Sequence, residues 1–590
     1  MEPQVVKGGV VTWACVPGFP PAVIFPFTPS ERYGIRNLYE FQMLMYRPLY
    51  WLGRDGGTGI DFELSLADEP EWDADGRTCT VRIKPWRWSN GETVCADNVM
   101  FWMNMLSRNG PRFGAYVTGY FPDNLVSYRK VAHDRVSFTF DRVYSKNWVL
   151  LNQLTMITPM PKAWDRTAAG PADATTDADQ VDAVYDFLLA ENGDMVAEDN
   201  AHRTAWADSP IWSVVNGPWR LKSYTADGVV SFVPNRHYSG PNPARLDEFR
   251  QVPTHSDEQQ YALLRERPDS VQVGFLPLSF GVQPDGDPTT GGPNPLGDRY
   301  RLVPQIVFSC NFMALNFDNS TAAGDLIRQP YIRQALQSCL DQEYGAREIY
   351  QGYGWSQSGP VPMLPASDLV SPRLADGRGC WPFDPDRARS LLAEHGWDVS
   401  VTPAVCVRAG TGPGEAGAGI PAGTRLSLSL RYWEGRPALT RLMRQFQADA
   451  GKTGIDLRLS EVYGSVLVAE DGPGAPTPDR PRRWELSCWG GGWVYNHPTG
   501  ENLFQSGAAC NFSNYRDPRA DELIAATVTT DELDALYAYQ EHISDQVPVI
   551  FMPSFPRRLF EVAVNLRGFA PINPYGLINP ENWFYVEESS

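Results

Sequence analysis

The sequence Asn311-Phe-Met-Ala-Leu-Asn-Phe-Asp-Asn-Ser320, followed by Pro330-Tyr-Ile-Arg-Gln-Ala-Leu-Gln-Ser-Cys-Leu-Asp341, decides the fold. Alternating apolar residues predict a buried strand from Phe312 to Phe317. A proline suits the first turn of a helix, and apolar residues at helical spacing between Ile332 and Leu340 predict that helix. A loop rich in glycine and proline follows at 352–362. A strand, a helix and a loop in this order indicate an α/β unit.

A second pattern lies between Leu66 and Phe101. Asp75-Gly76 predicts a hairpin turn between two short strands. Ser89-Asn90-Gly91 predicts another turn, and a helix with a polar cap before it is expected to begin at Ala96. Any hairpin can contain one of these features, but the complete ordered series is specific.

Together these stretches resemble the family 5 extracellular solute-binding proteins, which are receptors of ABC importers for dipeptides, oligopeptides or nickel. In the first stretch the matching residues are Asn316, Arg333, Gln334, Ala335, Leu336, Asp341, Gly352, Gly354, Gly359, Pro360 and Pro362. The resemblance implies an α/β fold of the periplasmic-binding-protein type: a two-lobe type II clamshell in its large three-subdomain form. It would have mixed sheets and two hinge crossings, near 300–317 and 547–555.

A chain of 590 residues is too long for one compact core, which agrees with more than one lobe. From the resemblance we expect lobe 2 to span 303–550. The expected parts of lobe 1 are 1–46, 205–302 and 551–590, with an accessory subdomain at 47–204.

Local patterns predict further elements within lobe 2. Asp384 should cap a helix that has Pro385 in its first turn and ends at Gly396. Other helices are expected at 437–449 and 531–546, and strands at 426–432 and 455–459. The strand–helix–strand rhythm favours a mixed sheet.

Composition excludes several classes of protein. The net charge of −19 argues against nucleic-acid binding, and 43% hydrophobic with 21% charged residues is typical of a globular protein. No run approaches the roughly 18 apolar residues that a membrane helix needs. The preference for Arg over Lys is typical of GC-rich genomes, such as those of actinobacteria.

The cysteines and histidines predict no metal site or cofactor. Nine cysteines and seven histidines are scattered without metal-ligand spacing, and no hydrolase or nucleotide-binding motif is present. Cys380 with Cys406, or Cys488 with Cys510, could form a disulfide. Binding without catalysis is therefore the expected activity.

The segment Leu486–Phe504 is the strongest site candidate. Three glycines let backbone approach another group closely, and Trp489, Trp493 and Tyr495 supply flat apolar surfaces with polar edges. By resemblance, Asn496 stands where peptide receptors carry an aspartate that pairs with the α-ammonium of the peptide. An amide cannot neutralise a buried ammonium.

Three alternatives follow for the ligand and its anchor. Either Glu434 replaces the missing carboxylate, or Glu501 replaces it, or the ligand has no free amine. An oligosaccharide is a ligand of the last kind. His497 is a further hydrogen-bonding candidate. The resemblance also places the loop that contains Phe25 and the turn at Asn216 close to the ligand.

We therefore expect an extracellular receptor that captures peptides between its lobes and delivers them to the permease subunits of an importer, with an oligosaccharide receptor as the alternative. Met1–Lys7 shows no signal region. From the resemblance we expect a mature sequence whose leader and lipidated cysteine lie upstream, so that the protein is held at the cell surface. We also expect a monomer.

Overall fold

The fold is described from a computed structural model of the 590-residue chain. The structure describes residues 4–587 with the exception of 16–19, 30–31, 196–199, 282, 285–286, 288, 290, 474–475, 479 and 509. The chain divides into two compact units. The first unit is Met1–Phe280, Pro293–Val307 and Arg558–Ser590, and the second unit is Gly281–Gly292 and Phe308–Arg557.

The predicted crossings can be compared with these bounds. The chain first enters the second unit at 280/281 and leaves it at 292/293, then enters it again at 307/308 and leaves it at 557/558. The predicted hinge crossings near 300–317 and 547–555 stay predictions. The finer division of the first unit, with an accessory subdomain at 47–204, stays a prediction.

The first part of the chain, up to residue 307, supplies most of the first unit. Its strands β1 to β15 are Val5–Val6, Val10–Ala14, Trp51–Leu52, Ile60–Asp61, Glu71–Trp72, Thr78–Arg82, Leu125–Ala132, Arg135–Phe140, Arg166–Thr167, Gly170–Pro171, Trp219–Tyr224, Val230–Pro234, Glu248–Val252, Val273–Leu276 and Tyr300–Gln305. Its helices α1 to α6 are Ile35–Asn37, Met43–Met45, Ala96–Asn109, Lys146–Trp148, Val181–Asn192 and Asp257–Glu266.

The middle part, 308–557, forms nearly all of the second unit. Its strands β16 to β23 are Ser309–Leu315, Trp397–Asp398, Val405–Cys406, Ser427–Trp433, Asp456–Val462, Leu486–Cys488, Gly492–Val494 and Val549–Phe551. Its helices α7 to α14 are Ala322–Arg328, Pro330–Ser338, Gln342–Tyr344, Pro385–Glu394, Pro437–Thr453, Gly464–Asp471, Pro518–Thr527 and Leu533–Gln546. The final part returns to the first unit with strands β24 to β26, which are Arg558–Ala563, Leu566–Arg567 and Phe584–Val586.

The first unit is built on a mixed seven-stranded sheet with the order β11-β12-β13-β2-β14-β24-β15. Strand β2 is parallel to both β13 and β14, whereas β24 is antiparallel to β14 and β15. Buried Trp13 of β2 stacks on Trp583 at 5.9 Å and meets Phe560 of β24 at 5.0 Å. Aromatic residues from the two ends of the chain therefore share one core.

The predicted hairpin at Asp75-Gly76 is confirmed. Strands β5 and β6 pair antiparallel on either side of it, and Gly76 has a φ of +68°, which favours glycine. Helix α3 begins at Ala96 as expected, but the prediction of a polar cap directly before it is wrong. Cys95 is the N-cap residue, and the Asn98 side chain accepts the Cys95 N–H at 2.9 Å.

The second unit contains a mixed sheet with the order β20-β19-β21-β16-β22, and β23 also pairs with β16. Helix α11 connects β19 to β20, which lie parallel. The predicted strand–helix–strand unit is thus confirmed, and so are strand β16 and helix α8. Asp384 caps α10 by accepting the Arg387 N–H at 2.9 Å.

The disulfide predictions are wrong, because all nine cysteines are free thiols in the structure. Cys380 lies beside α14, where its N–H donates to Ser544 at 3.4 Å, whereas Cys406 is paired with Trp397 in a two-stranded sheet. Cys488 belongs to central strand β21, and Cys510 lies outside the strands. Each thiol is held by its own local packing.

The α/β class with mixed sheets is confirmed. Across the residues for which positions are given, none of the helices combines the length and apolar character that a membrane span requires.

Candidate ligand-binding site

Three parallel strands of the second unit end at the same edge of its sheet. Strand β19 is parallel to β20 on one side and to β21 on the other, with Trp433 opposite Val462 and Tyr432 opposite Cys488. In open α/β sheets, ligands bind just outside the carboxyl ends of the strands. We call this the carboxyl edge; the residues that follow the three strands there are Glu434, Tyr463 and Trp489.

A glycine bulge shapes the carboxyl edge. Ser487 of β21 is opposite Ala314, and Gly492 of β22 is opposite Asn311. Five residue steps from β21 to β22 therefore face only three residue steps along β16. Two extra residues therefore bulge out. Gly490 has a φ of +69°, and a Cβ on Gly492 would lie 1.6 Å from the carbonyl oxygen of Cys310. Only glycine permits that approach.

The two tryptophans of this segment have different surroundings. Trp489 packs edge-on against Phe312 at 5.6 Å and lies 4.6 Å from Phe512, and its own ring stays half-buried. Trp493 is half-buried on β22, opposite Cys310. Both indoles thus retain partly exposed apolar surface, which is what a binding site needs.

Tyr495 is packed in the interior, behind the exposed part of this segment. It is buried, its N–H donates to Phe308 at 3.0 Å, and its hydroxyl accepts from the Cys310 thiol at 3.6 Å. Burial raises the pKa of Tyr495 well above its usual value, and the nearby groups of Cys310, Tyr539 and Glu501 act in the same direction. The phenol is therefore neutral and packed inward.

Asn496 and His497 follow at the half-buried surface. Loss of hydration lowers the pKa of His497 to about 4, and the exposed carboxylate of Asp531 offsets part of that effect. The imidazole is neutral at physiological pH, so it can donate or accept a hydrogen bond but carries no charge.

The two acidic candidates differ in access. Glu434 is half-buried at the carboxyl edge, and its N–H donates to Val462 at 3.0 Å, which fixes its backbone against β20. Glu501 is only 3% exposed and adjoins Tyr495 and Tyr539. Of the two, Glu434 is the carboxylate that an incoming ligand can reach without repacking the interior.

The chain is similar to one family of known proteins. A model of the bacterial extracellular solute-binding proteins, family 5 (middle), matches residues 61–515, which is more than half of the chain. The chain belongs to family 5 of the bacterial extracellular solute-binding proteins.

Individual relatives agree with this family. A protein of Brucella ovis named as an ABC transporter peptide-binding protein is 22% identical over 333 residues, which are 56% of this chain and 52% of the relative. The chain thus spans about half the length of the curated relatives that it matches.

Two solved structures show the same fold. The oligopeptide-binding protein AppA from Bacillus subtilis, in complex with a nonapeptide, has a TM-score of 0.68 at 18% identity and covers 99% of this chain and 100% of its own. NikZ from Campylobacter jejuni, in complex with Ni(L-His), has a TM-score of 0.65 at 13% identity, with coverage of 98% and 100%.

Two of the predicted site residues of this family 5 protein lie in the first unit. The Phe25 ring is fully buried among Phe27, Tyr185 and Trp212, at 6.0–6.1 Å. Asn216 is also buried, and its side-chain oxygen accepts the Arg47 N–H at 2.8 Å. Both side chains make these contacts within the first unit, and their role as ligand contacts stays a prediction.

The predicted site residues do not include the other side of the carboxyl edge. Tyr463 is 69% exposed directly after β20, and the Arg436 guanidinium stacks over Trp433 at 4.2 Å. The predicted strands at 426–432 and 455–459 could have revealed both positions. Once two strands are known to be parallel, their next residues share an edge.

Proposed function

We propose that this protein is the substrate receptor of an ABC importer, that it binds peptides at the carboxyl edge of its second unit, and that it delivers them to permease subunits. The observation that carries the proposal is the half-buried carboxylate of Glu434 at the edge where Trp489 and the glycine bulge lie. Family membership makes solute capture the activity to be explained.

The chemistry of this edge suits a peptide. Asn496 and neutral His497 offer hydrogen bonds to peptide groups, and the half-buried rings of Trp489 and Trp493 offer apolar surface. Because Asn496 cannot neutralise an α-ammonium, we assign that role to Glu434. A bond between a carboxylate and an ammonium is charge-assisted and stronger than a neutral one.

Two relatives support peptides as the ligand class. The Brucella ovis protein is named as a peptide-binding protein, and the AppA structure contains a nonapeptide. These names concern those proteins; in this chain, the substitution at Asn496 makes the anchor the point to test.

Calorimetry with a peptide found by thermal-shift screening tests the proposal. Glu434→Gln should weaken binding roughly ten- to a hundredfold, because a hydrogen bond to a charged group contributes about 1.5–3 kcal/mol. The matched control is Glu394→Gln, which neutralises an exposed glutamate on α10 of the same unit. That control should bind as the unsubstituted protein does.

Acetylation of the peptide N-terminus provides the second half of a cycle. The acetylated peptide should bind weakly to the unsubstituted protein, and Glu434→Gln should cause no further loss. Equal affinities of the Glu434→Gln and Glu394→Gln proteins for the free peptide would reject Glu434 as the anchor. Stabilisation by neutral oligosaccharides, with none by peptides, would reject peptide capture itself.

Two further parts of the proposal have direct tests. The bound peptide should leave the protein chemically unaltered, which mass spectrometry of the released ligand can measure. We also propose that a lipid anchor holds the protein at the cell surface, and palmitate labelling of the protein in its own cells tests this.

A further inference from the structure

A cavity of about 340 Å³ lies wholly within the first unit. Its walls come from the β3–β4 turn region at 53–64, from 241–242, from the end of β15 and from the carboxyl-terminal segment 568–583. Small-molecule sites occupy about 300–1,000 Å³, so this volume suits a small ligand. None of the carboxyl-edge residues of the second unit lines it.

Two buried amide oxygens in this cavity have no hydrogen-bond partner among the described residues. Gln305, at the end of β15, is 1% exposed, and its Oε1 is without a partner. The Oδ1 atom of Asn579 is also buried and without a partner among the described residues. A buried polar atom left unpaired costs about 1–3 kcal/mol. A ligand that donates N–H bonds would remove this cost for both.

The charge of the lining points to a cation. Its carboxylates are Asp55, Asp61 and Glu63, and no Lys, Arg or His is among its lining residues. The Asp55 side chain is 89% exposed, which places it at the opening. Asp61 is held in place because its Oδ1 accepts the N–H groups of Glu63 and Leu64 at 2.9 and 3.0 Å.

Basic groups near the lining are already engaged. Arg54 lies 3.6 Å from the exposed carboxylate of Asp55. The Lys84 ammonium interacts electrostatically with Asp61 and Glu63 and donates to the carbonyl oxygens of Phe62 and Ser65. Arg558 stands opposite Gln305 in the β15–β24 pair, but it forms a buried ion pair of 2.7 Å with Glu40. The charge of Arg558 is therefore compensated by Glu40. The buried rings of Phe569 and Trp583, 5.1 Å apart, complete the wall. Aromatic faces attract cations as well as apolar stems.

We propose that this cavity is a second ligand site and that it binds a small aliphatic amine in its ammonium form. Ammonium groups offer only donors, which match the carboxylates and the two unpaired amide oxygens of the lining. The short carbon chain packs against the rings. This site is independent of the peptide site proposed above.

Calorimetry of the whole chain with 1,4-diaminobutane at low ionic strength tests this site, and 1,4-butanediol serves as the uncharged probe of equal length. The diamine should bind saturably and the diol should not. Gln305→Leu should weaken diamine binding at least tenfold, because it removes the buried acceptor. A saturating peptide should leave the diamine affinity unchanged.

A second variant keeps the test decisive if Gln305→Leu does not fold. Asp55→Asn combined with Glu63→Gln alters two exposed groups at the opening and should also weaken diamine binding. Glu71→Gln, an exposed glutamate outside the cavity lining, is the matched control and should change nothing.

Absence of saturable diamine binding up to about 10 mM would overturn the proposal. Equal diamine affinity in the double variant and the Glu71→Gln control would overturn it as well. Equal binding of the diol and the diamine would show that charge is not recognised, which also contradicts the assigned ligand class.

Discussion

Among the glycines of the second unit, Gly492 should be the one whose replacement by alanine causes the largest loss of folding stability. A Cβ at this position would lie 1.6 Å from the carbonyl oxygen of Cys310. Real Cβ atoms do not approach backbone closer than 3.0 Å, so the two strands must separate by at least 1.4 Å (3.0 minus 1.6). Hydrogen bonds of about 2.9 Å do not survive such a displacement.

The size of the loss follows from the pairing that would open. The bulge is followed by β22, which pairs with Ser309–Asn311, and then by the Tyr495 N–H, which donates to Phe308 at 3.0 Å. Loss of two or three backbone bonds at about 1 kcal/mol each predicts a destabilisation of roughly 2–4 kcal/mol for Gly492→Ala. The displaced Trp493 should also weaken peptide binding.

The neighbouring glycine supplies the control. At Gly491 the nearest atom to an added Cβ is Cδ1 of Trp489 at 3.8 Å, an ordinary van der Waals contact. Gly491→Ala should therefore stay within about 1 kcal/mol of the unsubstituted protein. The assay is thermal unfolding combined with hydrogen exchange of Ser309–Leu315, because exchange reports the second unit separately. Equal melting temperatures and equal exchange in the two variants would refute the steric argument.

Three other predictions concern titration and thiols. The pKa of His497 is lowered to about 4 in the folded protein, so the imidazole of the unfolded chain takes up a proton at a higher pH. The free energy of unfolding should therefore decrease as the pH drops from about 6.5 towards 4. In thermal unfolding, His497→Gln should make this dependence on pH less steep. Burial raises the pKa of Glu561 on β24 to about 8, against the opposing hydrogen bond of 2.6 Å from Asn294. Folding should therefore weaken as pH rises from about 4.5 to 8, and Glu561→Gln should flatten that decline; an unchanged slope would contradict the assignment. Iodoacetamide should label all nine cysteines of the denatured, unreduced protein in mass spectrometry, and two missing labels would reveal a disulfide.

Local patterns were sufficient where neighbouring residues decide the conformation. The turn at Gly76, the capped start of α10 at Asp384 and the strand–helix pair β16–α8 follow from turn preference, capping and periodicity. These features depend on interactions within a few residues, so the local sequence is sufficient to predict them. The family resemblance rests on their order along the chain.

The choice between Glu434 and Glu501 depended on the tertiary structure. Both are glutamates close to site-like segments, and only the sheet register and the packing of Tyr495 and Tyr539 make one half-exposed and the other buried. The failed disulfide predictions have the same origin, because proximity along the chain does not give proximity in space.

The sequence by itself determined the family, the α/β class and the segment that bears the candidate site, because these depend on local patterns and their order. Only the tertiary structure decided the backbone path of that segment and the burial of its side chains. The bulge at Gly492 exists because two residues have no partner on β16, and the cavity at Gln305 exists because segments from distant parts of the chain enclose it. Register and enclosure are long-range properties, which no single stretch of sequence contains.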